Sequence, residues 1–100
     1  MSKEQGYEAA RQIALDLLGT IREALGDLDR VNRIVKLLGF VNSAEEFTEQ
    51  PYVINGASDL LLKVFEGKGQ HARSAIGVAQ LPFNAAVEIE LILEVTEEIE

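Results

Sequence analysis

Apolar residues recur at steps of three and four through the first quarter of the chain: Ala10, Ile13, Ala14, Leu17, Leu18, Ile21 and Leu25. Glu8, Arg11, Asp16, Arg22 and Glu23 fall on the other faces, so the spacing predicts one long amphipathic helix. Gly26 suits its end, because glycine enters the left-handed backbone region that closes a helix, and Asp27-Leu28-Asp29 then turns the chain. The pattern changes at Val31. From there to Val41 branched residues dominate, polar positions coming first and apolar ones later on both faces, as in a strand entering a covered part of a sheet.

Ser43-Ala44-Glu45-Glu46 has capping-box spacing and predicts a short helical turn. A second helix starts at Pro51 and carries Val53, Ile54, Ala57, Leu60, Leu61, Val64 and Phe65 on one face. Gly67-Lys68-Gly69 stops it, while Asn55-Gly56 reads as a turn-like dipeptide that adjusts the helix start. Two strands follow, Ala72 to Leu81 and Val87 to Val95, with Leu81-Pro82-Phe83-Asn84 as the break between them. In the last strand Val87, Ile89, Leu91, Leu93 and Val95 share one face, and Glu88, Glu90, Ile92 and Glu94 the other. The tail Glu97-Glu98-Ile99-Glu100 reads as solvated and frayed.

The predicted order is α-β-α-β-β, an α+β sandwich with two helices on one face of a small mixed sheet. One hundred residues suit a single domain over 1–100, with an acidic tail at 96–100. Three strands are few, and the second sheet face, with Ile92 and several small residues, calls for cover by another copy of the chain.

Composition narrows the chemistry. The net charge is −8 and only nine residues are Lys or Arg, the densest group being Arg30, Arg33 and Lys36. Nucleic-acid affinity depends on neutralising phosphates, so a general nucleic-acid binder is disfavoured. With no cysteine and the single histidine His71, neither a thiolate nucleophile nor a zinc site is expected, and no cofactor. No apolar run approaches a bilayer span and Met1-Ser2-Lys3-Glu4-Gln5 lacks the apolar segment of a signal peptide, so a soluble, cytoplasmic protein is the expectation.

Several longer segments carry a resemblance. Ala24-Leu25-Gly26-Asp27-Leu28-Asp29-Arg30-Val31, Phe40-Val41-Asn42-Ser43 and His71-Ala72-Arg73-Ser74-Ala75-Ile76-Gly77-Val78-Ala79-Gln80-Leu81-Pro82 resemble the RidA/YjgF family, and Ala86-Val87-Glu88-Ile89-Glu90 is similar to its last strand. The match runs from about Gly6 to Val95, and Ala-Arg-Ser, six residues, Leu-Pro and then Val-Glu-Ile-Glu is its most specific part. Gln50-Pro51-Tyr52-Val53-Ile54-Asn55-Gly56 resembles a branch labelled endoribonuclease or chorismate-mutase-like. The resemblance implies the chorismate mutase fold of the bacillus type, a homotrimer with clefts between subunits, and hydrolysis of reactive enamines and imines such as 2-aminoacrylate to 2-keto acids and ammonia. By motif, Arg73 matches the arginine that grips the substrate carboxylate, Glu88 the acidic residue assigned to water activation, and Asn55 a cleft asparagine. Two features depart from the family pattern: Ala75 stands where many members have cysteine or threonine, and the chain begins at the helix, without the N-terminal β-hairpin that lines the family's cleft.

The implied reaction has simple requirements. An imino acid needs a fixed cation for its carboxylate, which a planar guanidinium meets with two parallel hydrogen bonds. It also needs a group that takes a proton from the adding water and returns it to ammonia, which a glutamate can do without a metal. Against this stand plainer expectations. Glu88 on an alternating strand is ordinarily a solvent-facing carboxylate, His71 a turn residue, and Ser74, counted with the substrate-binding residues, lacks a histidine at any defined spacing. Three functions are thus in view: an imine deaminase, a non-catalytic trimeric binder of small carboxylates, and, less favoured by charge, an endoribonuclease.

Overall fold

A computed structural model describes residues 1–97, so all but the first residue of the frayed tail expected at 97–100 lies outside the described residues. The first amphipathic segment forms α1 (Lys3–Leu25). Ser2 opens it with a reciprocal cap: its hydroxyl accepts from the Gln5 N–H at 3.1 Å, and the Gln5 side chain accepts from the Ser2 N–H at 2.9 Å. Two amides that a helix start leaves without partners are thereby satisfied. Gly26 ends the helix in the left-handed region, φ 86°, and donates its N–H to the Arg22 carbonyl at 2.7 Å.

The strand β1 (Val31–Asn42) is the centre of a three-stranded sheet ordered β2-β1-β3. β2 (Ala72–Val78) pairs with it in parallel and β3 (Val87–Val95) antiparallel. The parallel step needs a crossover, which α2 (Gln50–Phe65) supplies. Register irregularities between Val31 and Arg33 and between Ile34 and Lys36 each add a residue. Val31, Ile34 and Leu37 therefore all point into the core at a spacing of three, after which Leu37, Gly39 and Val41 alternate normally. Both helices cover this one face. Their buried stripes, Ala10, Ala14 and Leu18 on α1 and Val53, Ile54, Ala57, Leu60 and Leu61 on α2, close the core with Val87.

Four local expectations are corrected. Ser43–Glu46 makes only a hydrogen-bonded turn, with the Phe47 N–H on the Ala44 carbonyl at 3.0 Å, and no helix. β2 stops at Val78 rather than Leu81, because its partner β1 runs out at Asn42. Asn55-Gly56 does not adjust a helix start; it lies inside α2, and Gly56 is where the two helices touch. A Cβ there would stand 2.0 Å from the Tyr7 carbonyl oxygen, so only glycine lets the backbones approach. Val64 leaves the apolar stripe of α2 and is 41% exposed.

The other face of the sheet is covered by no element among the described residues. The registers place Ile76, Phe40 and Glu88 in one row across it, Ser74, Leu38 and Glu90 in the next, and Ala72, Lys36 and Ile92 in a third. Ile76 and Ile92 are exposed there, and Leu38 and Phe40 half-buried. No helix among the described residues is long and apolar enough to cross a membrane.

Candidate functional site

Side chains alternate along a strand, so Arg73, level with Leu37, turns to the helix side of the edge strand β2, while Ser74 turns to the open face. There the guanidinium meets α2. Its Nη1 donates to Asn55 Oδ1 at 2.6 Å and to Ser58 Oγ at 3.2 Å. Asn55 and Ser58 are three apart on the helix and so lie on the same side of it. These bonds use the two hydrogens of Nη1 and leave the other three N–H donors of the guanidinium for a ligand.

Ser58 is 7% exposed and continues the chain of contacts, its Oγ 3.0 Å from His71 Nε2. His71 Nδ1 lies 2.5 Å from the Gly69 carbonyl oxygen. A carbonyl can only accept, so Nδ1 carries the proton and Nε2 presents its lone pair to the serine hydroxyl. The direction of the whole network follows: Arg73 donates to Ser58, Ser58 donates to His71, and His71 donates to Gly69. A pocket of about 280 Å³ lined by Ser58, Leu62, Gln70, His71 and Arg73 opens on it.

The structure thus brings Arg73 and Asn55 together and does not bring Glu88 or Ser74 to them within one chain. Glu88 is exposed on the open face of β3, at the far edge of the sheet and on the opposite side from the Arg73 side chain. Two strand spacings of about 4.8 Å separate their strands by roughly 10 Å, and Arg73 is level with Leu37 while Glu88 is level with Phe40, so they also lie apart along the sheet. Ser58 escaped the reading of the sequence, and His71 was read only as a turn residue. The available signal was Asn55 and Ser58 at a spacing of three, polar residues interrupting an otherwise apolar stretch of helix.

Arg30 and Arg33 of the basic group are drawn to separate partners. Arg30 turns to backbone, donating to the Leu25 carbonyl at 3.1 Å and the Thr96 carbonyl at 3.0 Å. Arg33 faces Glu94 at 3.6 Å. No cluster of three or more metal-ligating side chains occurs among the described residues.

Comparison with known proteins agrees with this architecture. Protein TCP17 of Trypanosoma cruzi is 60% identical over 91 residues, which are 90% of this chain and 57% of that protein. A "putative regulator AldR" of Lactococcus lactis is 33% identical over 84 residues, 84% of this chain and 58% of the relative. Among solved structures, Atu1372 of Agrobacterium tumefaciens, described as of unknown function, superposes with a TM-score of 0.93 at 46% identity, over 96% of this chain and 63% of that one. A "putative endoribonuclease" of Shewanella oneidensis superposes with a TM-score of 0.91 at 32% identity, over 95% of this chain and 63% of that one. This chain therefore spans less than two thirds of the length of each of these relatives. Residues 1–95 match the family described as "YjgF/chorismate mutase-like, putative endoribonuclease", and the chain belongs to that family.

Proposed function

We propose that this domain hydrolyses reactive imines and enamines of the 2-aminoacrylate type to 2-keto acids and ammonia, with Arg73 as the carboxylate anchor. The observation that carries the reading is the guanidinium pinned by Asn55 and Ser58 beside an open pocket, with donors to spare. A fixed fork has already lost the rotamer freedom that carboxylate binding would otherwise cost. In this reading Glu88 accepts the proton of the attacking water and returns it to the leaving ammonia. Because Glu88 and Arg73 diverge within one chain, the glutamate that serves a given Arg73 belongs to another copy, in a homotrimer with sites between subunits.

The position of Glu88 also favours a second reading, a binder of small carboxylates without catalysis, in which Arg73 works alone. The two share one expectation. Arg73→Ala removes binding of pyruvate or 2-oxobutanoate, measured by calorimetry, while the circular dichroism spectrum is kept. The lost charge-assisted contact is worth about 1.5–3 kcal/mol, or roughly ten- to over a hundredfold in affinity. Equal binding by both proteins would remove Arg73 from the site. Acceleration of keto-acid release from freshly generated 2-aminoacrylate separates the readings: present in the deaminase, absent in the binder.

A further inference from the structure

The imine reading uses Ser58 only to hold Arg73 and gives His71 no task, yet the geometry of the pair has a chemical meaning of its own. A hydroxyl hydrogen-bonded to an imidazole lone pair, with the second ring nitrogen held by an acceptor, is the arrangement that activates a nucleophile. Here the Oγ–Nε2 distance is 3.0 Å and the Gly69 carbonyl fixes the tautomer at 2.5 Å from Nδ1. The Arg73 N–H at 3.2 Å from Oγ places a cation where negative charge would develop on the oxygen. All three side chains line the same open pocket, so Ser58, although 7% exposed, is approached by small molecules from that side.

We propose that Ser58 is a nucleophile with His71 as its base, and that this pocket cleaves small esters or thioesters bearing a carboxylate held by Arg73. As the Ser58 oxygen bonds to the acyl carbon, its proton passes to His71 Nε2. The bond from that carbon to the leaving oxygen or sulfur then breaks, and the leaving group takes the proton from Nε2. Water next adds to the acyl-serine, gives one proton to Nε2, and expels the Ser58 oxygen, which recovers that proton. The products are a carboxylic acid and an alcohol or thiol, with no change of oxidation state. This chemistry rests on the same reading of Arg73 as a carboxylate anchor, but it requires only Ser58, His71 and Arg73 of one chain and needs neither Glu88 nor a second copy.

The chain has no cysteine, which makes a direct test available. In Ser58→Cys, the thiol alkylated by iodoacetamide near neutral pH can only be the introduced one. Beside a base and a guanidinium its reaction is expected to be roughly tenfold or more faster than in the double variant Ser58→Cys/His71→Gln. In the unsubstituted protein, diisopropyl fluorophosphate is expected to add one phosphoryl group, mapped to Ser58 by peptide mass, and His71→Gln is expected to slow that addition to a similar degree. Alkylation at the same rate with and without His71 would overturn the proposal, since a serine that merely fills a hydrogen-bond network gains no reactivity from its neighbour.

Discussion

At the scale of single residues, polar side chains join the two helices to each other and to the sheet edge. Tyr7 shows how such a contact responds to pH. Its hydroxyl donates to Asp59 at 2.7 Å, joining α1 to α2, and its ring lies 5.7 Å from that of Tyr52. The bond to the Asp59 carboxylate, and to a lesser extent desolvation, raises the Tyr7 pKa. The folded chain therefore holds this proton more tightly than the unfolded one. The resulting stability is complete below the unfolded value of about 10 and is lost as pH rises through the higher folded value. Tyr7→Phe is expected to lower the melting temperature slightly near neutral pH, and the gap to narrow in strongly alkaline buffer. A gap that stays constant with pH would show that the Asp59 bond contributes nothing. At this scale Arg73 and Asn55 were legible through their motif, whereas Ser58 was not. Its partners His71 and Arg73 are thirteen and fifteen residues away, a distance that no helical or strand period connects.

At the scale of elements, close packing rather than propensity sets the outcome. An alanine in place of a helix-interior glycine ordinarily stabilises by about 1 kcal/mol. At Gly56 the sign reverses, because a Cβ would meet the Tyr7 backbone oxygen at 2.0 Å and the Arg11 nitrogen at 3.1 Å. Backbone atoms cannot swing aside as a side chain can, so the helices must separate. Gly56→Ala is expected to destabilise by about 1–3 kcal/mol, a fall in melting temperature of several degrees or more. A melting temperature unchanged or raised would contradict this crossing geometry. Hydrophobic periodicity located both helices and all three strands, since each has a face that must be buried. It could not locate the two irregularities in β1, where burial at Val31, Ile34 and Leu37 follows a helical spacing inside a strand. Nor could it foresee the end of β2, which depends on the length of its neighbour. Asn55-Gly56 misled for a related reason: glycine's freedom of φ and glycine's lack of bulk look the same in a sequence.

At the scale of the whole molecule, one sheet face is covered by helices and the other carries exposed Ile76 and Ile92 with the half-buried Leu38 and Phe40. The family and the layered architecture were legible in the chain because motif and periodicity cover nearly all of it. The placement of Glu88 opposite Arg73 was not, since pairing order, and hence which strands become edges, is a tertiary property. That placement turns the proposed activity into a statement about assembly: anchor and base meet only when copies meet. The measurement that tests this most directly is complementation between Arg73→Ala and Glu88→Gln. Each variant alone is expected to lose imine hydrolysis, the second by about a hundred- to ten-thousandfold. Unfolded together in equal amounts and refolded, they form mixed assemblies in which some sites draw Arg73 from one variant and Glu88 from the other. With random mixing in a closed ring, roughly a quarter of the sites are intact, so roughly a quarter of the unsubstituted protein's activity is expected to return. Mixed assemblies as inactive as their parents, formed from chains that are active when unsubstituted, would contradict a site shared between copies.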